Sequence, residues 1–370
     1  MKKTGAQLIL EVLLEHGVDT VFGYPGGAAL NVYDALYEYQ DRIKHILTAH
    51  EQGASHAADG YARATGKTGV VFATSGPGAT NLVTGIATAY MDSVPMVAIT
   101  SNVTNNLIGR DAFQEVYITG ITMPITKHNF FVNRIEDLAN ALRQAFRIAQ
   151  SGRKGPVLVD VTKDVTAALV DYVPERPLPL KEMPKATDEE LQEVADAINK
   201  AECPVIYCGG GAAARQVEKE LHALMETSDI PAAHTMMAAG LVPYDDERAL
   251  GMIGMHGSVT ANEALFHADL VLALGTRFSD RVALNIEKFS PEAVKIQVDI
   301  DPCEVNTRRS VYRRRCQGFY GKTAAPARKE RASCMARKNR RMAEGAGKGC
   351  LSRRRTASRQ IDSGCLRYGG

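Results

Sequence analysis

The chain has 370 residues, of which 45% are hydrophobic and 23% are charged, and its formal net charge is +2. This length suits about two domains with apolar cores. No apolar run approaches the ~18 residues of a membrane-spanning helix. The seven cysteines include no CxxC pair, and an odd count without metal-ligand spacing predicts reduced thiols rather than a disulfide framework.

The N-terminal segment predicts a cytoplasmic protein. Lys2 and Lys3 resemble the start of a signal peptide, but the following AQLILEVLLEHG carries Glu11 and Glu15 at helical spacing. The segment is therefore predicted to be an amphipathic helix capped by Thr4, rather than the apolar part of a secretory signal.

Charge is distributed unevenly along the chain. Residues 307–370 carry 19 Lys and Arg against 3 Asp and Glu, which leaves 25 against 39 for residues 1–306. The body is therefore acidic and the tail strongly basic. The tail has few apolar residues and no helical or strand periodicity, so we expect it to be disordered.

Predicted helices and strands alternate along residues 1–166. Helices are predicted at residues 4–16, 28–37, 52–65, 82–90 and 135–150, and strands at 21–23, 43–47, 69–74, 95–100 and 157–161. Short apolar strands between glycines are typical of a parallel sheet covered on both faces. The predicted fold class is α/β, with a doubly wound parallel sheet whose ligands bind beyond the carboxyl ends of the strands.

Glu51 is the unusual residue of this first domain. It lies between a predicted strand and a predicted helix, and small residues follow it in EQGASHAA. One interpretation is an acid at a helix start, where the helix dipole favours it. The other is a functional carboxylate against which another group packs. A P-loop and an HExxH zinc motif are both excluded, because Tyr61 and Ala54 occupy the required Gly and His positions.

Three further features of this domain carry predictions. Gly26 and Gly27, between a strand and a helix, allow a ligand or another chain close to backbone N–H groups, although an ordinary turn would have the same sequence. Residues 104–116 predict a polar loop that enters a short helix. His128 is predicted to be a packed structural histidine.

A segment rich in Pro and charge, residues 167–186, predicts a linker. Thr187 and Glu190 then form a capping box for a helix over 188–200. Strands at 204–207, 231–233, 270–274 and 294–300 predict a Rossmann-like α/β domain over 187–306. The glycine triplet 209–211 after its first strand is by itself weak evidence for a bound nucleotide.

The wording of several separated motifs resembles a known family. HEQGASHAADGYAR (50–63), TSGPGATN (74–81) and GYPGG (23–27) are similar to the pyrimidine-binding domain of thiamine diphosphate enzymes. With RDAFQE (110–115), residues 1 to about 306 are most similar to the large subunit of acetolactate synthase, also called acetohydroxyacid synthase. The family pattern is not kept at Thr104, Arg110 and Thr162, which affects pocket detail rather than the class.

The resemblance implies an activity and residues that perform it. Such enzymes decarboxylate pyruvate on thiamine diphosphate and join the two-carbon unit to a second 2-keto acid, in the synthesis of valine and isoleucine. A glutamate at the Glu51 position hydrogen-bonds the aminopyrimidine ring and activates the cofactor. Gly26 and Gly27 lie near its reacting carbon. Phe113 and Gln114 shape the acceptor site, and Lys163 lies at the entrance.

The resemblance also implies FAD in the second domain. The ordered set of GGG, TMM, MHG, GTRFSDR and VDID is similar to the family's central domain, where FAD has a largely structural role because the reaction is redox-neutral. Catabolic relatives and other thiamine diphosphate enzymes keep this fold without flavin, so a flavin-free domain is the alternative. An acid after a Rossmann-like strand suits ribose hydroxyls, which favours Asp299. The implied FAD residues are Arg153, Gly209, Gly210, Gly211, Thr235, Met236, His256, Gly275, Arg277, Asp280, Arg281 and Asp299.

In the family, Mg²⁺ and the diphosphate are held by a third domain with a GDG…NN motif, and no GDG occurs in residues 1–370. We therefore expect these 370 residues to be inactive alone. The abrupt loss of pattern predicts a change of reading frame near Thr307. Family members are homodimers or homotetramers whose sites form between subunits, and a small regulatory subunit is a further partner.

Two other functions remain open from the sequence. One is a different thiamine diphosphate decarboxylase or carboligase, against which Phe113 and Gln114 argue. The other is a non-catalytic remnant that binds flavin or pairs with an intact subunit. No membrane partner is expected. Nucleic-acid binding by the basic tail is disfavoured, because no recognition motif or interleaved aromatic residues accompany the charge.

Overall fold

The computed structural model describes residues 1–180, 186–214, 217–283, 285, 288–305 and, as backbone, 310–314. The chain divides into two compact units, Met1–Glu182 (unit 1) and Met183–Gly370 (unit 2). Apart from residues 310–314, the basic tail and its predicted disorder lie outside the described residues. No helix in the described part of the chain is long and apolar enough to cross a membrane.

Unit 1 is built on a six-stranded parallel sheet. The strands of this unit are β1 (Lys2–Thr4), β2 (Thr20–Gly23), β3 (Lys44–Leu47), β4 (Gly69–Ala73), β5 (Met96–Asn102), β6 (His128–Val132), β7 (Pro156–Thr162) and β8 (Leu169–Asp171), of which β1 and β8 form a separate pair. The main sheet has the order β3-β2-β4-β5-β7-β6, and every pairing in it is parallel. The chain order reverses between β2 and β4, which is where α/β sheets leave a crevice for ligands.

Helices cover both faces of this sheet. They are α1 (Gly5–Glu15), α2 (Leu30–Glu38), α3 (Glu51–Thr65), α4 (Pro77–Asn81), α5 (Val83–Met91), α6 (Ile118–Thr122), α7 (Ile135–Gln150) and α8 (Lys163–Ala167). One apolar core contains residues of α1, α2 and α7, and a second contains residues of α3, α4 and α5. Strands β4, β5 and β7 are buried along their whole length between them. The predicted doubly wound α/β fold is confirmed.

The end of unit 1 differs from the predicted linker at 167–186. Strand β8 pairs antiparallel with β1, and Tyr172 is buried in the core of unit 1. The guanidinium of Arg143 on α7 donates to the carboxylates of both Glu15 and Glu175, at 2.8 and 2.6 Å. Segment 168–175 therefore belongs to the folded unit. The division between the two units, after Glu182, lies within the predicted linker. Pro and charge mark exposed chain, but they do not show that strand pairing fixes its first part.

Unit 2 is a second parallel sheet. Its strands are β9 (Pro204–Cys208), β10 (Ala232–His234), β11 (Ala249–Met252), β12 (Leu270–Leu274), β13 (Val294–Val298) and β14 (Ser310–Arg314), and its helices are α9 (Asp188–Lys200), α10 (Gly210–Ala213), α11 (Glu218–Ser228), α12 (Val259–Phe266) and α13 (Asp280–Ala283). The sheet order is β11-β10-β9-β12-β13-β14. Counted from β9, this is the 3-2-1-4-5-6 order of dinucleotide-binding folds.

Local signals set several element ends. Thr187 and Glu190 form the predicted capping box of α9, and Thr4 caps α1 in the same way with Gln7. Each box satisfies two backbone N–H groups that a helix start leaves unpaired.

Three local predictions are corrected. Helix α2 begins at Leu30 rather than residue 28, because residues 27–29 form a turn. Within the predicted segment 104–116 the structure has a single 3-10 turn at Asn105–Leu107, and the next α-helix begins at Ile118. His128 is exposed, and its ring makes an edge-on contact with Phe130 on the same strand, at 4.5 Å between centroids. It is therefore not a packed core histidine.

Candidate functional site

The crevice between β2 and β4 collects most of the residues predicted for unit 1. Glu51 follows β3, Gly26 and Gly27 follow β2, and Thr74 follows β4. These three strands are neighbours in a parallel sheet, so the segments after them meet at one edge.

Glu51 is the first residue of α3 and is only 7% exposed. Its Oε2 accepts a hydrogen bond from Asn81 Nδ2 at 2.9 Å. Its Oε1 lies 3.1 Å from the point that a Cβ on Gly78 would occupy. Glu51 is therefore an acid at a helix start, and it is also a buried carboxylate with a fixed orientation. Its functional role stays a prediction.

The glycines of the GYPGG loop differ in what they contact. A Cβ on Gly26 would lie 2.4 Å from Thr74 Cγ2, so only glycine fits there. The Oγ1 of Thr74 accepts a hydrogen bond from the backbone N–H of Ala28 at 3.2 Å. Gly27, in contrast, is exposed, and a Cβ on it would meet nothing within 4 Å. Gly26 fixes the loop on β4, and Gly27 presents its backbone to open space.

Lys163 joins the same edge from β7. It is the first residue of α8, and its Nζ donates to the carbonyl oxygen of Gly27 at 2.9 Å. Asn31 on α2 donates to Thr166 Oγ1 at 2.9 Å. The segment after β7 is therefore tied to the loop after β2, and the structure brings Lys163 and Gly27 together.

Phe113 and Gln114 lie on a loop that packs beside this crevice. The side chain of Phe113 is 87% exposed. Gln114 has a left-handed backbone with φ of 59°. A Cβ on Gly76, in the loop after β4, would lie 2.7 Å from the carbonyl oxygen of Gln114. The loop therefore rests on the glycine segment that also borders Glu51.

Two polar partners in this crevice were missed from the sequence. Asn81 orients Glu51, and Thr74 holds the GYPGG loop. They are the first and last residues of the motif TSGPGATN, in which only the glycine and proline residues were interpreted from the sequence. The available signal was position: Thr74 directly follows a buried strand, and Asn81 ends the short helix α4 that the Gly-Pro-Gly turn begins.

Tyr33 is a third missed residue. Its buried hydroxyl finds no hydrogen-bond partner in the described part of the chain. A Cβ on Gly23 would lie 2.6 Å from this hydroxyl, so the group sits over the end of β2. Burial raises the pKa of Tyr33, and the charge of Glu51 raises it further. The edge thus holds a buried donor beside a buried carboxylate.

Arg153 is not part of this edge. It precedes β7, and its Nε donates to Ser93 Oγ at 2.8 Å ahead of β5. Residues before parallel strands lie at the amino edge of the sheet, opposite to Glu51. Within unit 1 the structure therefore separates Arg153 from the other predicted residues.

The second crevice lies in unit 2, where the chain order reverses between β9 and β12. Gly209, Gly210 and Gly211 follow β9, and Gly275 follows β12. The backbone N–H of Gly211 donates to the carbonyl oxygen of Gly275 at 3.0 Å. A Cβ on Gly209 would lie 2.2 Å from that same oxygen. The two loops are in direct backbone contact, which only glycines permit.

Two threonine hydroxyls at this edge are buried without a hydrogen bond. They belong to Thr235, after β10, and to Thr276, after β12, and neither has a partner among the residues that the structure describes. A buried hydroxyl left unpaired is costly. Glycine backbone and unsatisfied hydroxyls at the reversal point of a 3-2-1-4-5-6 sheet fit a dinucleotide such as FAD.

The remaining predicted FAD residues follow neighbouring strands of the same sheet. Met236 is 70% exposed after β10. His256 is exposed in the loop after β11, where Met255 donates its N–H to the carbonyl oxygen of Arg281 at 3.0 Å. Asp299 follows β13 and is half-buried, and its Oδ1 accepts from the N–H of Asp301 at 2.8 Å. The other three form or flank α13; they are Arg277, Asp280 and Arg281.

No group of three or more His, Cys, Asp or Glu side chains that could hold a metal ion occurs among residues the structure describes. The sequence predicts no metal ligand among residues 1–370, so the binding of Mg²⁺ by a third domain stays a prediction.

Known proteins match both units. A family model for the N-terminal TPP binding domain of thiamine pyrophosphate enzymes matches residues 3–121. A model for the central domain of the same enzymes matches residues 191–316. The second match continues past Thr307, where the change of reading frame was predicted to begin, so the resemblance extends further than the motifs indicated.

Curated relatives agree with these matches. The acetolactate synthase of Mycobacterium bovis is 50% identical over 309 residues, which cover 83% of this chain and 50% of that protein. The acetolactate synthase large subunit of Corynebacterium glutamicum is 49% identical over 313 residues, which cover 84% of this chain and 50% of that protein. The probable acetolactate synthase large subunit of Methanocaldococcus jannaschii is 49% identical over 308 residues, which cover 81% of this chain and 52% of that protein.

The chain thus spans about half the length of the curated relatives it matches. The two family models match, one in each unit, the regions that contain the two crevices. The chain belongs to the thiamine pyrophosphate enzyme family, whose N-terminal and central domains it carries.

Proposed function

We propose that this chain is the N-terminal and central part of an acetolactate synthase large subunit. The complete subunit would convert two molecules of pyruvate, or pyruvate and another 2-keto acid, into an acetohydroxy acid and CO2, in branched-chain amino-acid synthesis. The observation that carries the proposal is Glu51, a buried carboxylate held by Asn81 beside two glycine loops. Relatives with the name acetolactate synthase support the choice of reaction.

The residues of unit 1 suit the thiamine half of the site. Thiamine diphosphate, when bound, would supply a nucleophilic carbon and then an electron sink for the decarboxylation. Glu51 holds and exchanges a proton at its Oε1, the oxygen that faces Gly78, while Asn81 keeps Oε2 in place. A carboxyl group fixed in this way is an effective acid–base catalyst. Gly27 allows a close approach to its backbone.

The acceptor side is assigned to the loop at 109–115. Phe113 supplies an exposed aromatic surface, and Gln114 supplies an amide that donates to a carboxylate. Lys163 completes the entrance, with its ammonium held on the carbonyl of Gly27. These roles rest on the resemblance and on the placement of all three residues at the edge that contains Glu51.

FAD is assigned to unit 2. Gly209, Gly211 and Gly275 let backbone approach the diphosphate, and the unpaired hydroxyls of Thr235 and Thr276 are available to it. Since the reaction is redox-neutral, the flavin has a structural role. Asp299 after β13 suits a ribose hydroxyl.

Mg²⁺ and the diphosphate are assigned to a domain with a GDG motif, which residues 1–370 do not contain. We therefore expect the 370-residue polypeptide to be inactive when tested alone. The enzyme is further assigned to the cytoplasm, as a homodimer or homotetramer that a small regulatory subunit joins.

Two preparations test the proposal. The 370-residue polypeptide, purified with added FAD, should bind flavin and form no acetolactate from pyruvate, thiamine diphosphate and Mg²⁺. A fusion of residues 1–305 to the C-terminal half of the Corynebacterium glutamicum relative should form acetolactate. Flavin binding with an inactive, correctly folded fusion would favour a non-catalytic flavin-binding protein. Decarboxylation without acetolactate would favour a different thiamine diphosphate enzyme.

A further inference from the structure

The loop of residues 109–115 is closed by the side chain of Glu115. Its Oε1 accepts the backbone N–H of Gly109 at 2.5 Å, and its Oε2 accepts the N–H of Ala112 at 2.9 Å. The N–H of Glu115 also donates to the carbonyl oxygen of Ala112 at 2.9 Å. These two hydrogen bonds hold the pKa of the Glu115 carboxyl below its usual range, and the bond from Gly109 has the larger effect. One side chain therefore connects both ends of the loop.

The loop needs such a connection because its backbone is unfavourable. Asp111 and Gln114 have φ values of 52° and 59°, in the left-handed region that side chains with a Cβ disfavour. Phe113 is 87% exposed and so has little packing of its own to hold it. Hydrogen bonds to a charged acceptor are roughly twice as strong as those between neutral groups, so the Glu115 carboxylate is suited to hold this segment.

The closed loop is also in contact with the segment that borders Glu51. The backbone of Gln114 lies against Gly76, where a Cβ would come within 2.7 Å of the Gln114 carbonyl oxygen. Gly76 directly precedes α4 as its N-cap, and two residues later Gly78 faces the Oε1 of Glu51. The conformation of the loop therefore decides where Gln114 stands relative to the buried carboxylate.

We infer that Glu115 is a positioning residue, whose carboxylate fixes the loop that presents Phe113 and Gln114 beside Glu51. The inference rests on the two hydrogen bonds that its oxygens accept from backbone N–H groups. The roles of Phe113 and Gln114 in this inference rest on the proposed function, whereas the fixing of the loop does not.

The test is hydrogen exchange and NMR on the full 370-residue chain with Glu115→Gln. A glutamine puts an NH2 group where one carboxylate oxygen stood, so one of the two N–H groups loses its acceptor atom. The matched control is Glu136→Gln, which removes the same charge from an exposed residue at the start of α7. We expect exchange in residues 104–117 to accelerate about tenfold or more in the first variant, and the Gly76 amide resonance to move. Exchange in α7 should match that of the unaltered chain, and the thermal midpoint should match that of the control.

Several outcomes would overturn the inference. Rapid exchange of the Gly109 and Ala112 amides in the unaltered chain would show that Glu115 does not hold them. Equal acceleration in the loop and in α7 would indicate general destabilisation, and an unmoved Gly76 resonance would separate the loop from the crevice. Thiamine diphosphate titrated into the unaltered chain tests the proposed function separately. Failure of that ligand to perturb Glu51 while the loop results hold would leave Glu115 as a loop-fixing residue of a different site.

Discussion

The two crevices lie at equivalent places in their sheets but differ in what the protein provides. In unit 1 the edge between β2 and β4 holds two charged groups by hydrogen bonds, since Asn81 donates to Glu51 and Lys163 donates to the carbonyl of Gly27, beside the unpaired hydroxyl of Tyr33. In unit 2 the edge between β9 and β12 presents glycine backbone and the unpaired hydroxyls of Thr235 and Thr276. Unit 1 thus supplies an oriented ionisable group, and unit 2 supplies a surface with unsatisfied hydrogen bonds.

This difference suggests how each unit depends on its ligand. A carboxylate oriented by the protein acts on a ligand as soon as the ligand arrives, because no side chain has to reorganise. A buried hydroxyl without a partner gains a hydrogen bond only when a ligand supplies one. Changes in unit 1 should therefore alter chemistry, whereas changes in unit 2 should alter affinity.

The largest effect is expected for Glu51→Gln in the fusion that completes the subunit. Glutamine can keep a bond with Asn81 but cannot exchange a proton, so kcat should fall about 10²–10⁴-fold. The thermal midpoint should stay near that of the parent fusion. Acetolactate formation measures the rate, and the exposed Glu136→Gln serves as the control for loss of charge. Activity near the parent value would contradict the assigned role.

The next effect concerns Asp160, a carboxylate of β7 that is only 2% exposed. Burial raises its pKa to about 6, although hydrogen bonds from Thr100 and Asn102, at 2.6 and 2.7 Å, oppose the rise. A carboxyl whose pKa is raised by folding contributes stability at low pH that is lost as the pH rises through the folded pKa. From about pH 4 to about pH 7 the unaltered chain should lose roughly 3 kcal/mol relative to Asp160→Asn.

Chemical denaturation at several pH values measures this difference, in which other titrating groups cancel. Thr100→Val should move the transition to higher pH, because it removes a hydrogen bond that favours the ionised carboxylate. Parallel pH profiles for the unaltered chain and Asp160→Asn would mean that the buried carboxyl is not the titrating group.

Gly26 and Gly27 form a matched pair for the geometry of the first crevice. Gly26→Ala places a methyl group 2.4 Å from Thr74 Cγ2, so it should lower the free energy of unfolding by about 1–3 kcal/mol. Gly27→Ala meets nothing within 4 Å and should change it by less than about 0.5 kcal/mol. Urea denaturation of both variants compares them. Equal losses would show that the loop does not rest on Thr74.

The smallest effect is expected in unit 2, for Thr276→Val. Removal of an unpaired buried hydroxyl should leave the flavin-free chain as stable or more stable, while FAD affinity should weaken roughly threefold to tenfold. Thr276→Ser keeps the hydroxyl and should bind more tightly than the valine variant. A flavin fluorescence titration compares the three proteins. Unchanged affinity in Thr276→Val would mean that the hydroxyl does not contact the flavin.

Local sequence patterns were sufficient to predict most of the helices and strands. The bounds predicted for α7 and α9 agree with the structure residue for residue, because an apolar face repeats at helical spacing and, for α9, a capping box marks the start. Where exposed chain is fixed by distant contacts, prediction failed. Strand β8 follows from its pairing with β1 across the unit, which no local pattern around residue 169 records.

The candidate site divides in the same way. The type and order of the key groups, Glu51 and the glycine loops, are visible in the sequence, because burial of a carboxylate and close backbone approach demand particular residues. Their partners are not visible: Asn81 reaches Glu51 across 30 positions, and Lys163 reaches Gly27 across 136. Sequence therefore determined which chemical groups this protein has and which segments hold them. Only the tertiary structure decided which groups meet, because strand order, and not distance along the chain, sets the neighbours at the edge of a parallel sheet.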